Sequence, residues 1–188
     1  SYVGELGWEI YIPIDRSKEI YETIVSFEKK YNLVHAGAHA MDIMRMEKGY
    51  LHWGHDISPA ENPYEAGLDF AIKLNKKEDF IGKDFLINNK HQQRKKLMMF
   101  SLENSSPGQP LLLHDEPIYY DGKIVGETTS GNYSFYYNKN LAFGYVYINP
   151  DFELSNEKLF EIEVAKKKYK LNVLEKPLHD YKNKFMND

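Results

Sequence analysis

Ile118-Tyr119-Tyr120-Asp121-Gly122-Lys123-Ile124-Val125 reads as a β-hairpin. Two apolar and aromatic runs flank an Asp-Gly pair. That pair tolerates positive φ at both central positions of a type I′ turn, whose twist matches that of two antiparallel strands. The same character continues on both sides. Met98, Phe100 and Leu102 alternate upstream, and further strands are expected over 124–130, 141–148, 159–165 and 169–175. Lys166-Lys167-Lys168 separates the last two and caps a hairpin on the surface, where its charges deter edge pairing. Residues 95–177 are therefore expected to form an antiparallel barrel or sandwich.

Upstream of residue 95 the character changes. The polar run Asn88-Asn89-Lys90-His91-Gln92-Gln93-Arg94-Lys95-Lys96 reads as a linker between a unit at 1–94 and a unit at 95–188. The first unit carries helical periodicity. Asp15 is a candidate N-cap for a helix over 16–31, with Ile20, Ile24, Phe27 and Tyr31 on one face. A second helix is expected over 37–48, with Ala40, Met41, Ile43 and Met44 mostly inward. The Gly-, His- and aromatic-rich stretch 49–59 has no period and reads as a structured loop. Leu68, Phe70, Ile72 and Leu74 alternate as a half-buried strand, and a short helix follows around 82–90. The fold class is α+β.

The chain opens Ser1-Tyr2-Val3-Gly4-Glu5-Leu6-Gly7-Trp8-Glu9-Ile10, a glycine-bearing turn running straight into a strand. In that strand Trp8, Ile10 and Ile12 share one face, while Glu9 and Tyr11 share the other. A carboxylate on a stiff strand can accept two parallel N–H bonds from a planar ligand. The alternative is a solvated surface glutamate.

Apolar residues make up 42% of the 188, enough for a real core. The net charge of −4 argues against a general nucleic-acid surface. The absence of cysteine excludes disulfides, thiolate metal sites and cysteine nucleophiles in these residues. No apolar run approaches the roughly 20 residues of a bilayer span, so no membrane partner is expected, and no secretory signal is visible. The protein is expected to be cytoplasmic. The abrupt start suggests that more chain precedes Ser1.

Six stretches occur in order: Tyr2-Val3-Gly4-Glu5-Leu6-Gly7-Trp8-Glu9, Arg45-Met46-Glu47-Lys48-Gly49-Tyr50, Trp53-Gly54-His55-Asp56, Pro63-Tyr64-Glu65-Ala66-Gly67-Leu68, Phe80-Ile81-Gly82-Lys83, and Gly126-Glu127-Thr128-Thr129-Ser130-Gly131-Asn132-Tyr133. Together they resemble the folate-binding family that includes the T-protein of the glycine-cleavage system. The second and third look most like the C-terminal region of dimethylglycine and sarcosine dehydrogenases. The resemblance implies the C-terminal half of a folate-binding α+β unit followed by a small antiparallel β-barrel. It implies tetrahydrofolate as ligand, with Glu9 at the family's pterin-binding position, Tyr2 at a folate-contacting position and Tyr11 beside Glu9. Trp53, His55 and Tyr133 are candidate residues lining the site. The family's catalytic Asp would lie upstream of Ser1, so no catalytic residue is assigned. FAD would belong to upstream domains of the same polypeptide. Met41 stands where the T-protein has an Arg, a departure shared with the flavin-linked relatives.

Other constellations have local readings. Arg45 either pairs with Asp42 or Glu47 on the surface or forms a buried carboxylate bridge. His35 and His39, four apart, lack an accompanying carboxylate motif, and no metal is assigned. His55-Asp56 could be a base and its orienting partner or a packed loop element. Ser130-Gly131-Asn132-Tyr133 lies between two strands, with Gly131 marking a bulge or a close backbone approach.

Three functions compete. One is the tetrahydrofolate-binding portion of a flavin-linked dehydrogenase that passes on the one-carbon unit from N-demethylation, inactive alone. Another is a stand-alone aminomethyltransferase or a related methyltransferase. The third is a non-catalytic docking module. Bare apolar surface in the first unit makes a dimer of the isolated chain an expectation.

Overall fold

The computed structural model describes residues 1–148 and 159–179; residues 149–158 and 180–188 of the second unit lie outside the described part. The fold joins a helical and loop-rich first unit to a closed six-stranded antiparallel barrel. Its helices are α1 (Ser17–Val25), α2 (Glu28–Tyr31), α3 (Ala38–Glu47) and α4 (Lys83–Asn89). Its strands are β1 (Lys95–Leu102), β2 (Pro117–Tyr120), β3 (Lys123–Ser134), β4 (Lys139–Tyr147), β5 (Phe160–Val164) and β6 (Lys167–Leu174).

The barrel closes in the order β1-β4-β3-β2-β5-β6. The expected hairpin joins β2 to β3, with Asp121 at φ 51° and Gly122 at φ 76°. Ala165 and Lys166 make the second tight turn, again at positive φ (50° and 64°), between β5 and β6. Closure leaves no free edge in this sheet, so the lysines there have no edge to guard.

Alternation on β1 and β4 builds two cores at once. Phe100, Leu102, Ala142 and Val146 fill the barrel with Ile118, Tyr120, Phe160 and Ile162. The opposite faces present Leu97, Met99, Leu141 and Phe143 to Ile43 and Met46 of α3. β4 is therefore buried along nearly its whole length. Period-two side chains allow this only where a strand is covered on both faces. Leu178, beyond β6, packs into the second core.

Several expectations are corrected. Trp8–Ile12 forms no strand among the described residues, and Trp8 and Ile10 face solvent instead of a core. A strand exists only with a hydrogen-bonding neighbour, which alternation alone does not supply. The helix over 16–31 is broken after Val25. There Ser26 Oγ donates to Thr23 O at 2.6 Å, and Phe27 N–H bonds back three residues to Ile24 O. Asp15 makes no side-chain cap and sits inside a 3₁₀ turn, Ile14–Arg16. Leu68–Leu74 is not a strand. Gly67 at φ 70° precedes a 3₁₀ turn, Asp69–Ala71, closed by Ala71 N–H to Leu68 O, and the barrel offers no edge to receive it. In α3, Ile43 is buried and Ala40 and Met44 are partly so, but Met41 is exposed. The 88–96 run is no loose tether, because Arg94 N–H and Leu97 N–H both bond to Glu65.

Candidate functional site

The Arg45–Asp56 bridge lies in the first unit and ties it to the barrel through Ser130 and Thr129 of β3. Arg45 reaches inward from the last turn of α3, and its guanidinium lies over the Phe143 ring at 5.4 Å. Its Nε and Nη2 donate to Asp42 Oδ1 at 2.9 and 2.7 Å. Nη1 donates to the Asp56 carboxylate and to Tyr50 O, the latter at 3.1 Å. Nη2 also donates to Ser130 Oγ at 2.8 Å. Of the two readings for Arg45, the buried carboxylate bridge is present, with Asp56 as the buried partner and Asp42 as a half-exposed one.

Asp56 is saturated by donors. Ser130 Oγ and Thr129 Oγ1 donate to its Oδ1 at 2.7 and 2.6 Å, and His52 N–H donates to Oδ2 at 2.9 Å. Consecutive residues of a regular strand point to opposite faces. A register shift in β3 between Thr128 and Ser130 lets Thr129 and Ser130 meet the same oxygen. Ser130–Tyr133 is thus part of β3, not a connection between strands. Gly131 marks a close approach: a Cβ there would stand 2.4 Å from Leu112 Cβ. Tyr145 OH donates to Asp56 O at 2.9 Å, and burial raises the Tyr145 phenol well above its usual range. His55 is not Asp56's partner. Its exposed ring packs on His52, centroids 4.5 Å apart, so the base-and-orienter reading is not realised.

A second carboxylate pins the passage into the barrel. Glu65 is fully buried and accepts Arg94 N–H at 3.0 Å and Asn62 N–H at 3.2 Å. Burial pushes its carboxyl upward, but these bonds and the Arg94 guanidinium outweigh it, leaving the group below the usual carboxylate range.

Tyr2 faces a groove of about 920 Å³ between the first unit and the barrel, lined also by Tyr50, Phe70, Leu97, Met99 and Phe143. Its ring stacks on Tyr50 at 6.5 Å, and its OH donates to Leu51 O at 3.1 Å. Burial raises its phenol, with Arg45 opposing the shift. Glu9 and Tyr11 share one face, as alternation requires, and Tyr11 OH donates to Glu9 Oε2 at 2.7 Å. Both stand in solvent, outside the groove's lining. Trp53 is exposed on the 52–57 loop. Tyr133 lines a different cavity, of about 430 Å³, between α3 and the end of β3, with its ring edge-on to Phe135. The candidate ligand residues therefore occupy four places: Tyr2 the groove, Glu9 and Tyr11 the solvent-facing stretch after it, Trp53 and His55 the 52–57 loop, and Tyr133 the second cavity. The Thr129-Ser130 and Asp56 motifs lie far apart in the sequence, and only the β3 register shift brings both hydroxyls to one carboxylate oxygen.

Comparison with known proteins agrees with this architecture. The GCVT N-terminal domain model matches residues 1–76, and the glycine cleavage T-protein C-terminal barrel domain model matches 95–180. Mitochondrial dimethylglycine dehydrogenase of Mus musculus is 37% identical over 178 residues, covering 95% of this chain and 20% of that protein. The 4-methylaminobutanoate oxidase (formaldehyde-forming) of Paenarthrobacter nicotinovorans is 36% identical over 183 residues, covering 97% and 21%. The chain thus spans about a fifth of the length of these curated relatives. The crystal structure of glycine cleavage system aminomethyltransferase T from Bartonella henselae superposes with a TM-score of 0.79 at 24% identity, over 96% of this chain and 48% of that one, a likeness of fold. With a barrel and a preceding unit that each match a T-protein model, the chain belongs to the glycine-cleavage T-protein family.

Proposed function

We propose that the chain is the tetrahydrofolate-handling portion of a larger flavin-linked enzyme that oxidises an N-methyl amine and passes the released one-carbon unit to the folate. The two relatives, named for dimethylglycine and for a formaldehyde-forming 4-methylaminobutanoate oxidation, point to such substrates. The observation that carries the reading is the aromatic groove beneath Tyr2, with a volume of about 920 Å³ that suits a flat ring system, lined on its apolar side by Leu97, Met99 and Phe143. Tetrahydrofolate, when bound, supplies a nucleophilic nitrogen that takes up carbon at the formaldehyde level. The residues of this chain bind and orient. Tyr2 and Tyr50 offer ring faces and the apolar wall excludes water. Glu9, outside the groove's lining, would serve the pterin N–H edge only where that edge projects beyond the groove. FAD is assigned to other domains of the same polypeptide, and no residue of this chain is given to it.

Calorimetry with tetrahydrofolate on the complete polypeptide tests the reading. Replacing Glu9 by Ala should weaken binding by about 10- to 150-fold, the equivalent of losing a charge-assisted hydrogen bond of about 1.5–3 kcal/mol. Unchanged affinity removes Glu9 from the site. No binding by the wild type favours the docking-module alternative, in line with the exposed Met41. Turnover of an N-methyl amine by the complete polypeptide separates the dehydrogenase from a stand-alone aminomethyltransferase. Among the described residues, no helix is long and apolar enough to cross a membrane. Cell fractionation decides between the expected cytoplasm and the mitochondrial location in the name of the mouse relative.

A further inference from the structure

We infer that the segment following β6 is a clasp that sets the position of the loop bearing Tyr2, closed by the pair Glu5–His179, so that both are positioning residues for the ligand held against Tyr2. The inference rests on the functional reading above only for the identity of that ligand.

The segment crosses the first unit and is held at each step. Pro177 lies against Gly49, where a Cβ would come within 2.5 Å of Pro177 Cγ. Leu178 packs with Ile43, Met46, Leu141 and Phe143, and its carbonyl accepts Tyr137 OH at 2.8 Å. His179 N–H donates to Glu47 O at 2.9 Å, which fixes the backbone at the end of α3. The ring then reaches the N-terminal loop, with Nε2 at 2.6 Å from Glu5 Oε1, and joins residues 174 positions apart. The Tyr136 ring meets His179 edge-on at 6.1 Å and keeps the imidazole facing Glu5.

The loop on the other side of this contact is short and lightly built. Gly4, at φ 78°, turns it over the Lys48 side chain, with Gly4 N–H on Ser1 O and Ser1 Oγ on Glu5 O. Tyr2 OH on Leu51 O and Glu5 on His179 are two side-chain bonds that tie it to the rest of the molecule. They flank Gly4 on opposite sides. Fixing the Glu5 side of Gly4 therefore limits how far the loop can carry Tyr2 off its stack on Tyr50. Other groups at the contact already have work: the Glu47 carboxylate accepts Ser134 Oγ, and His39 O accepts Asn132 Nδ2. Local ordering through a second element is how a binding residue is pre-placed before its ligand arrives.

The test uses backbone order parameters of Gly4, Glu5 and Gly7, measured by NMR on the full chain, beside tetrahydrofolate affinity of the complete polypeptide. His179→Ala and Glu5→Ala should each lower the order of this loop from about 0.85 to below about 0.6, leaving β1 and β4 unchanged. His179→Gln, which keeps a donor, should restore most of it. The double variant should be no looser than either single one. Affinity should fall about tenfold in the two Ala variants and recover in the Gln variant. A rigid loop in both Ala variants, or additive loosening in the double variant, overturns the clasp. A loosened loop with unchanged affinity overturns the positioning role. Failure of the wild type to bind folate overturns the functional reading instead, while the order parameters still decide the clasp.

Discussion

Arg45 and Asp56 meet inside the protein from positions 11 apart in sequence, with 1% and 0% of their side chains exposed. Each also bonds the Ser130 hydroxyl on β3, so the pair couples α3, the 52–57 loop and the barrel in one network. Buried ion pairs recover their desolvation cost only when the remaining lone pairs and protons are satisfied. Here they are.

Removing one partner leaves the other charge buried and alone. Asp56→Ala and Arg45→Ala should each destabilise the chain by about 3–5 kcal/mol in urea unfolding. Arg45→Lys should recover little, because an ammonium cannot span Asp42, Asp56, Ser130 and Tyr50 O with a planar fork.

Glu65 makes stability depend on pH. Its carboxyl is held below the ordinary value of 4.5, so its contribution is present above the unfolded-state value and is lost as pH falls through the folded-state one. Glu65→Gln should cost about 1–3 kcal/mol at neutral pH, since an amide cannot receive both backbone N–H bonds as a carboxylate does. The difference between wild type and variant should shrink in urea melts taken below the carboxylate range.

Gly126 faces β4 without room for a side chain: a Cβ there would stand 1.8 Å from Tyr145 O. The obstacle is backbone, so it cannot rotate away. Gly126→Ala should lower stability by about 1–3 kcal/mol or more by spreading β3 from β4, visible as a lower melting temperature by circular dichroism.

Ile118 is fully buried in the barrel core. Ile118→Ala should cost about 2–5 kcal/mol, the transfer loss plus the residual cavity, read by chemical denaturation.

The sequence alone determined part of the local structure. Asp121-Gly122 announced its hairpin, since few residues accept two positive φ angles in succession. Alternation announced β1, and helical spacing announced α3, though Met41 turned outward and the buried stripe ran through Ile43, Arg45, Met46 and Glu47. Ring closure and the long-range pairings belong to the tertiary structure. The same period of two that made β1 a strand left Trp8–Ile12 unpaired and Leu68–Leu74 a turn, because hydrogen-bonding neighbours come from distant chain. Asp56 found Thr129 and Ser130 together only through a one-residue register shift in β3, and Arg45 through the placement of α3 beside the 52–57 loop. A buried charge requires partners, and which side chains supply them is settled by packing in three dimensions, where sequence spacing carries no signal.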